Sequence, residues 1–287
     1  MVERGQLKIG AIIQARASSA RLPGKIFKEL PYDSGITVLQ QVIRRTKRAK
    51  RLALVVVATT TRKEDNTTAK IVKKEGVGCF RGSEKDVLTR FYDAAKENKL
   101  DIIVRICADC PCVDVDIIDH VIKKHLQQKV DYTSNCLKKT YSLGFNVEVF
   151  NFLALRQAYT NAFSDDEREH VTPYIYNNPR KFKIETVKAS GILNAPEIRI
   201  TLDTKNDYVL LCAIYDFLWS KRKYFKAIDI IRLFKKKPWL RLINEDEIQK
   251  RQSPTLKDEV REAIRVLDKQ DLKKAANFIK RHFLNKF

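Results

Sequence analysis

The stretch that decides the fold is residues 9–25, IGAIIQARASSARLPGK. It opens on an unbroken apolar run, Ile9 to Ile13, the pattern of a strand buried on both faces of a parallel sheet. The loop that follows carries Arg16, Arg21 and Lys25, with Ser18, Ser19, Pro23 and Gly24 among them. Several cations on one short loop at the carboxyl end of a first strand make an anion site, because open α/β sheets bind ligands at that edge. Arg presents a planar fork to phosphate oxygens and Lys a compact point charge. Gly24 lets the backbone approach a ligand closely. The competing reading is a solvated basic loop. The loop is not a Walker P-loop: Ser19 stands where a glycine is required, and Ile26 follows Lys25 in place of Ser or Thr. It also lacks the GxGxxG of a dinucleotide turn.

Outward from this loop, strands and helices alternate. Residues 36–48, ITVLQQVIRRTKR, place Val38, Leu39, Val42 and Ile43 at helical spacing with cations opposite. Residues 52–58 read as a second buried strand, 59–65 as a polar turn and 68–75 as a helix. Gly82 and Ser83 are read as opening another helix, with Ser83 as N-cap and Asp86 three residues on. Residues 102–106 form a strand containing Arg105. A cation among apolar neighbours calls for an anionic partner, either a substrate group or a structural carboxylate. Asp109 falls where this strand ends. An Asp there, beside a phosphate-bearing ligand, is placed to hold Mg²⁺, which often takes one or two carboxylates plus phosphate oxygens. The alternative is a loop Asp capping a turn. Asp114 and Asp116 read as helix-start residues. The order strand, helix, strand, helix argues a right-handed parallel α/β sheet.

Farther along, Phe145, Val147 and Val149 alternate with Asn146 and Glu148, as in an antiparallel insertion or edge region. Residues 152–162 read as a helix. In EIRITLDTKNDYVLL, 197–211, Ile198, Ile200 and Leu202 alternate as a strand closed by Asp203, which also suits a helix N-cap. Thr204 begins a helix. Residues 246–287 form a basic tail in which Val260, Ile264 and Leu267, then Leu272, Ala276, Ile279 and Phe283, recur at helical spacing. It reads as an amphipathic helix or helix pair docked on the domain or a second subunit. Contact with a membrane surface through Lys280 and Arg281 is the lesser alternative.

Composition bounds the partners. With 44% hydrophobic residues the chain can bury a core. The start, MVERGQLKIG, lacks the apolar heart of a signal peptide, and no apolar run nears the ~18 residues of a membrane span. The expectation is a cytoplasmic chain with free thiols. Cys107, Cys110 and Cys112 give C-x2-C-x-C, but no His flanks them, so apolar packing competes with zinc. A formal charge of +21 attracts polyanions. Nucleic acid is the rival partner, yet the chain shows no RNA or DNA module and no RNP-like aromatic motif.

The run AIIQARASSARLPGK, 11–25, resembles the opening signature of the sugar cytidylyltransferases, among them the synthetases that make CMP-sialic acid and CMP-Kdo. The nearest likeness is to the spore-coat polysaccharide type. RGSEKDVLTRFYDAAKE, 81–97, looks like the family segment beside the nucleotide. ADCPCVD, 108–114, is similar to the metal-binding GDCPLID, with Ala108 for Gly and Cys112 for Leu. DDEREHVTPYI, 165–175, is similar to SEREHVTPYI. LDTKNDY, 202–208, resembles VDTPEDF, whose first Asp is a metal ligand; Lys205 and Asn206 depart from Pro-Glu. The likeness covers about residues 8–245.

The resemblance implies a Rossmann-like, mixed but mostly parallel sheet flanked by helices, of the nucleotide-diphospho-sugar transferase type, over residues 1–245. About 131–190 would be a small β-containing insertion on the sugar and dimer side, and a homodimer is implied. Carried over residue by residue, the resemblance puts Ala15, Arg16, Ser19, Arg21, Lys25, Ser83 and Asp109 around CTP. It puts Asp109 and Asp203 on Mg²⁺, and Arg16, Lys25, Asp109 and Asp203 in the catalytic set. Arg105, Glu148 and His170 are the sugar-side candidates, with His170 a candidate for the dimer seam as well. The implied reaction moves CMP from CTP to an acidic sugar for surface polysaccharide or glycan synthesis, releasing pyrophosphate. A sugar phosphate as acceptor is the alternative.

Overall fold

The opening apolar run forms β1 (Ile9–Gln14), and its side chains divide between two cores. Ala11 and Ile13 face one side of the sheet and Ile12 the other, all fully buried. The computed structural model describes residues 7–247 and 256–283. After β1 come α1 (Val38–Thr46), β2 (Leu54–Thr60), α2 (Asn66–Lys74), β3 (Gly78–Gly82), α3 (Val87–Glu97), β4 (Ile102–Cys107) and α4 (Val115–Gln128). The chain continues through β5 (Tyr132–Ser134), β6 (Glu148–Asn151), α5 (Phe152–Asn161), α6 (Asp165–His170), α7 (Pro173–Tyr176), β7 (Ile184–Thr186), α8 (Lys205–Leu218) and α9 (Ala227–Lys236). Two further helices, α10 (Leu256–Lys269) and α11 (Lys273–Phe283), follow.

The seven strands form one sheet in the order β3-β2-β1-β4-β6-β5-β7. β1 pairs in parallel with both β2 and β4, β2 with β3, and β5 with β7; β6 alone runs antiparallel to its neighbours. This is the mostly parallel α/β sheet expected. Its strand order reverses at β1, since β2 lies on one side and β4 on the other. The crevice beyond the carboxyl ends of β1 and β4 is therefore the topological switch point, where such sheets take their ligands.

Four local readings are corrected. Gly78–Gly82 is an edge strand, and α3 begins at Val87 with Asp86 as its N-cap, accepting the Thr89 N–H at 2.9 Å. Ser83 lies one turn earlier and accepts the Asp86 N–H instead. The antiparallel run of 145–149 is a strand only from Glu148, and it lies between β4 and β5 rather than at an edge. Residues 197–203 are extended but not a strand of the sheet: a single bridge joins Arg199 to Leu143. The N-cap of α8 is Thr204, not Asp203, with Asp207 closing the capping box.

The chain divides into two compact units, Met1–Asp246 and Glu247–Phe287. In the second, α10 and α11 bury Ile264 and Ala276, and Lys280 pairs with Asp268 at 2.9 Å. Among the described residues no helix is long and apolar enough to cross a membrane.

Candidate active site

The site is built from three backbone segments that meet at the switch point. The first is the loop after β1. Asp65, itself buried, accepts the Ala17 N–H at 2.8 Å, and the Gly24 N–H closes the loop onto the Ala17 carbonyl at 3.1 Å. Gly24 sits at φ 68°, in the left-handed region that suits glycine, and the turn at Lys25–Phe27 follows it. That turn sends Lys25 inward, with 12% of its side chain exposed.

The second segment is the loop after β4. The Ala108 N–H bonds the Gln14 carbonyl at 3.0 Å, which carries the β1–β4 pairing one residue past the strands and sets Asp109 at the sheet edge. The third is the extended run before α8. The Leu202 N–H bonds the Asp109 carbonyl at 2.8 Å, so backbones 93 positions apart in sequence are stitched directly together. Gly144 allows this run to lie close: a Cβ there would come within 2.8 Å of the Ile200 backbone, at a φ of 120°.

The side chains then converge. Lys25 Nζ lies 2.7 Å from Asp109 Oδ2 and 2.8 Å from Asp203 Oδ1. Arg21 and Arg199 both reach Asp203 Oδ2 at 3.0 Å. Arg199 is anchored in turn by the buried Asp207 at 2.8 Å. Burial works against the charge on Lys25, but the two carboxylates outweigh it and hold its pKa above the ordinary lysine value. Burial likewise opposes ionisation of Asp203, yet Lys25, Arg21 and Arg199 hold its carboxyl below the usual range. Of the residues singled out from sequence, Arg21, Lys25, Asp109 and Asp203 are thus brought to one point.

The others stand around it. Ala15 is buried at the root of the loop and Ser19 is half-buried on it. Arg16 leaves the cluster for the rim, 41% exposed, where it lies 3.8 Å from Glu169. Ser83 is exposed on the neighbouring loop, which Glu84 ties to the first by accepting from Ser18 at 2.8 Å and from Arg62 at 2.6 Å. Arg105 and Glu148 are opposite each other in the β4–β6 register and form a buried ion pair. The Glu148 carboxylate meets the Arg105 charge in this structure. Tyr132 and Thr172 also donate to Glu148, and Gln14 accepts from Arg105 at 3.1 Å. His170 ends α6, 3.7 Å from Asp166, and the next residue, Val171, takes a φ of 72° that a branched side chain rarely adopts. That turn directs Thr172 back onto Glu148.

Several members carry no signal in the residue patterns. Asp65, which props the first loop, sits in a polar turn like many surface acids. Arg199 alternates with isoleucines as a strand's solvent face would. Arg90 is fully buried and donates through Nη1 to the Ser83 carbonyl at 2.8 Å, while its Nε and Nη2 have no partner among the described residues. Burial first, then nearby Arg16, pushes its pKa down to about 10.

The donor set suits magnesium. Asp109 and Asp203 offer hard carboxylate oxygens close enough to share one cation, as the Lys25 ammonium demonstrates. Among the described residues no group of three or more His, Cys, Asp or Glu is gathered for a metal. Two carboxylates are what Mg²⁺ takes when substrate phosphates complete its shell. Cys110 and Cys112 are buried, and Cys112 belongs to the apolar core.

The family model described as Cytidylyltransferase matches residues 10–236. An uncharacterised protein of Methanocaldococcus jannaschii is 39% identical over 249 residues, 85% of this chain and 97% of that protein. The spore coat polysaccharide biosynthesis protein SpsF of Bacillus subtilis is 34% identical over 230 residues, 79% of this chain and 94% of that protein. The solved structure of a cytidylyltransferase from Leptospira borgpetersenii is similar with a TM-score of 0.77 at 35% identity, covering 86% of this chain and all of that one.

Proposed function

The chain belongs to the cytidylyltransferase family and is a CTP-dependent nucleotidyltransferase, and from that premise we propose that it transfers CMP to a hydroxyl of an acidic sugar for surface polysaccharide synthesis. The acceptor oxygen attacks the α-phosphorus of CTP. A new P–O bond forms as the bond to the β-phosphate oxygen breaks, and pyrophosphate leaves. Such chemistry depends on positioning and on charge neutralisation around the phosphate oxygens.

The observation that carries this reading is the bridge from Lys25 to Asp109 and Asp203, made by a basic loop and two acids from distant parts of the chain. Asp109 and Asp203 would hold Mg²⁺, which when bound draws charge from phosphate oxygens and lowers the pKa of the acceptor hydroxyl. Lys25 and Arg21 supply fixed positive charge to the triphosphate from the same point. Arg16, exposed at the rim, supplies more. Arg199 and Asp207 keep Asp203 ionised and aimed.

The polysaccharide role draws on the spore coat relative, and the acidic character of the acceptor on the cationic mouth formed by Arg16 and Arg21. Arg105 is not available for the sugar's carboxylate while Glu148 neutralises it. The test is pyrophosphate release with CTP and Mg²⁺ against a panel of ulosonic acids, neutral sugars and sugar phosphates. Release with an ulosonic acid and not with the others supports the proposal. Release with a sugar phosphate alone overturns the acceptor class and leaves the family assignment standing.

A further inference from the structure

Between α8 and α9 lies a cavity of about 300 Å³, lined by Phe217, Leu218, Phe225 and Leu233. Five cations ring it, Lys221, Arg222, Arg232, Lys236 and Lys237, against a single acid, Asp229. That acid is already engaged, since it accepts the Lys226 N–H at 2.8 Å in the capping box of α9. Lys237 stacks on the Phe217 ring at 4.7 Å, which brings its charge over the apolar lining. Among the described residues Lys221, Arg232 and Lys236 make no ion pair. The surrounding sequence, residues 221–237, holds eight Lys or Arg and one Asp, a net +7. The cavity is separate from the active site. Asp203 stands at the start of α8 and Phe217 and Leu218 at its far end, and a 14-residue helix is about 20 Å long.

An apolar hollow ringed by five cations, of which among the described residues only Arg222 meets a carboxylate, Asp229 at 3.8 Å, has a definite complement. The hollow gains by taking apolar surface out of water, and its volume lies at the lower end of the ~300–1,000 Å³ of small-ligand sites. The rim gains by meeting an anion, with Arg forks suited to phosphate or carboxylate. A second copy of this chain brings the same excess of positive charge and is repelled. A nucleic acid strand calls for aromatic rings presented to solvent as stacking platforms, and of the two lining rings Phe225 is buried and Phe217 is covered by Lys237. A bilayer meets protruding apolar side chains, whereas this surface is concave.

We propose that this cavity binds a small anionic amphiphile, an apolar chain ending in a phosphate or carboxylate, with the chain in the hollow and the anion on the rim. The test is calorimetric titration of the full-length protein with octyl phosphate below its micelle concentration, beside octanol and inorganic phosphate. Octyl phosphate is expected to saturate one site at least about tenfold more tightly than either half-molecule. The pair Arg232→Glu and Lys236→Glu, both exposed, is expected to weaken it at least about tenfold with kcat for CTP unchanged. Leu218→Trp, which fills the hollow, is expected to weaken it as well. Equal binding of inorganic phosphate reduces the site to a plain anion surface and overturns the proposal, as does equal binding of octanol. Binding that survives the charge reversal overturns it too. So does failure to saturate with octyl phosphate while the protein sediments with phosphatidylglycerol vesicles, which assigns the basic face to a bilayer.

Discussion

Lys25 shows how one residue holds a site together before any ligand arrives. Two carboxylates aimed at the same point repel each other, and the ammonium between them removes that repulsion. Because Asp109 keeps part of its side chain in solvent and makes no other ion pair among the described residues, Asp109→Asn is expected to fold normally. Its pyrophosphate release is expected to fall by about 10²-fold or more, the scale for losing a group that stabilises developing charge. Near-normal turnover would remove Asp109 from the machinery. Asp203→Asn should cost activity similarly, and stability besides, since it strips a partner from Arg199 and Arg21. The Arg105–Glu148 pair behaves differently. It is buried, and removing one partner leaves the other charge uncompensated, so Glu148→Gln is expected to cost about 3–5 kcal/mol in urea unfolding. Burial works to raise the Glu148 pKa, but Arg105 and the donors Tyr132 and Thr172 hold it below the usual glutamate value. The folded carboxyl therefore binds its proton later than the unfolded one. Its contribution is present above pH ~4.3 and is lost as pH falls through the depressed value. A variant as stable as the parent at pH 7 would show that the pair is dispensable.

At the scale of elements, the joint between α4 and the strands beside it carries a pH signature. His125 on α4 is buried, with Nδ1 3.0 Å from Thr133 on β5 and Nε2 3.0 Å from Asn151 on β6. Burial lowers its pKa from the ordinary 6.5, and the Asn151 bond and Asp131 only partly oppose this. The unfolded chain thus takes up a proton at a pH where the folded one does not, so stability is full above about pH 6.5 and declines below it. Exposed His120, whose pKa is also lowered, first by partial burial and then by Lys124 and Lys123, contributes with the same sign. His125→Gln is expected to be less stable at pH 7.5 and to lose stability less steeply down to pH 5, followed by urea unfolding. Parallel curves for variant and parent would assign the acid slope elsewhere. Which elements the sequence disclosed follows from how each is stabilised. β1, β2 and β4 are buried on both faces, so their apolar runs announce them. β3 lies at the sheet edge with half-exposed or exposed residues throughout, and its GCFRG pattern resembles a turn. The run 197–203 alternates like a strand because one side packs on the core, yet it is held by a glycine contact and isolated backbone bonds. The loop after β1 and Asp109 were legible because strand ends and charge together mark a ligand edge, whereas the run before Asp203 is not a strand of the sheet and only the family resemblance singled that residue out. The Arg105–Glu148 pairing was not, because it depends on a register between strands 43 residues apart. Asp65 and Arg90 were hidden for the same reason: their roles exist only in the packed structure.

For the whole molecule, the question is where the charge lies. The second unit, from Glu247 on, holds eleven Lys or Arg and six Asp or Glu, a net +5, which leaves +16 of the +21 on the first. The matched family segment ends at residue 236, and among the described residues every strand and every candidate site residue belongs to the first unit. The field that a CTP molecule meets on approach is therefore set mainly by the unit that turns it over. A net positive surface of this size speeds encounter with a multiply charged anion, and salt screens it, with a Debye length of about 10 Å at 0.1 M and about 3 Å at 1 M. A chain ending at Asp246 is accordingly expected to keep its melting transition and to retain kcat within about twofold of the full protein, a change of barrier too small to reflect a lost catalytic group. Its kcat/KM for CTP is expected to fall with added salt along nearly the same curve as the parent, measured by pyrophosphate release from 50 mM to 500 mM sodium chloride. If truncation flattens that curve, the helical pair supplies the attraction despite its smaller charge. If it abolishes turnover while the fold survives, residues beyond 246 complete the site.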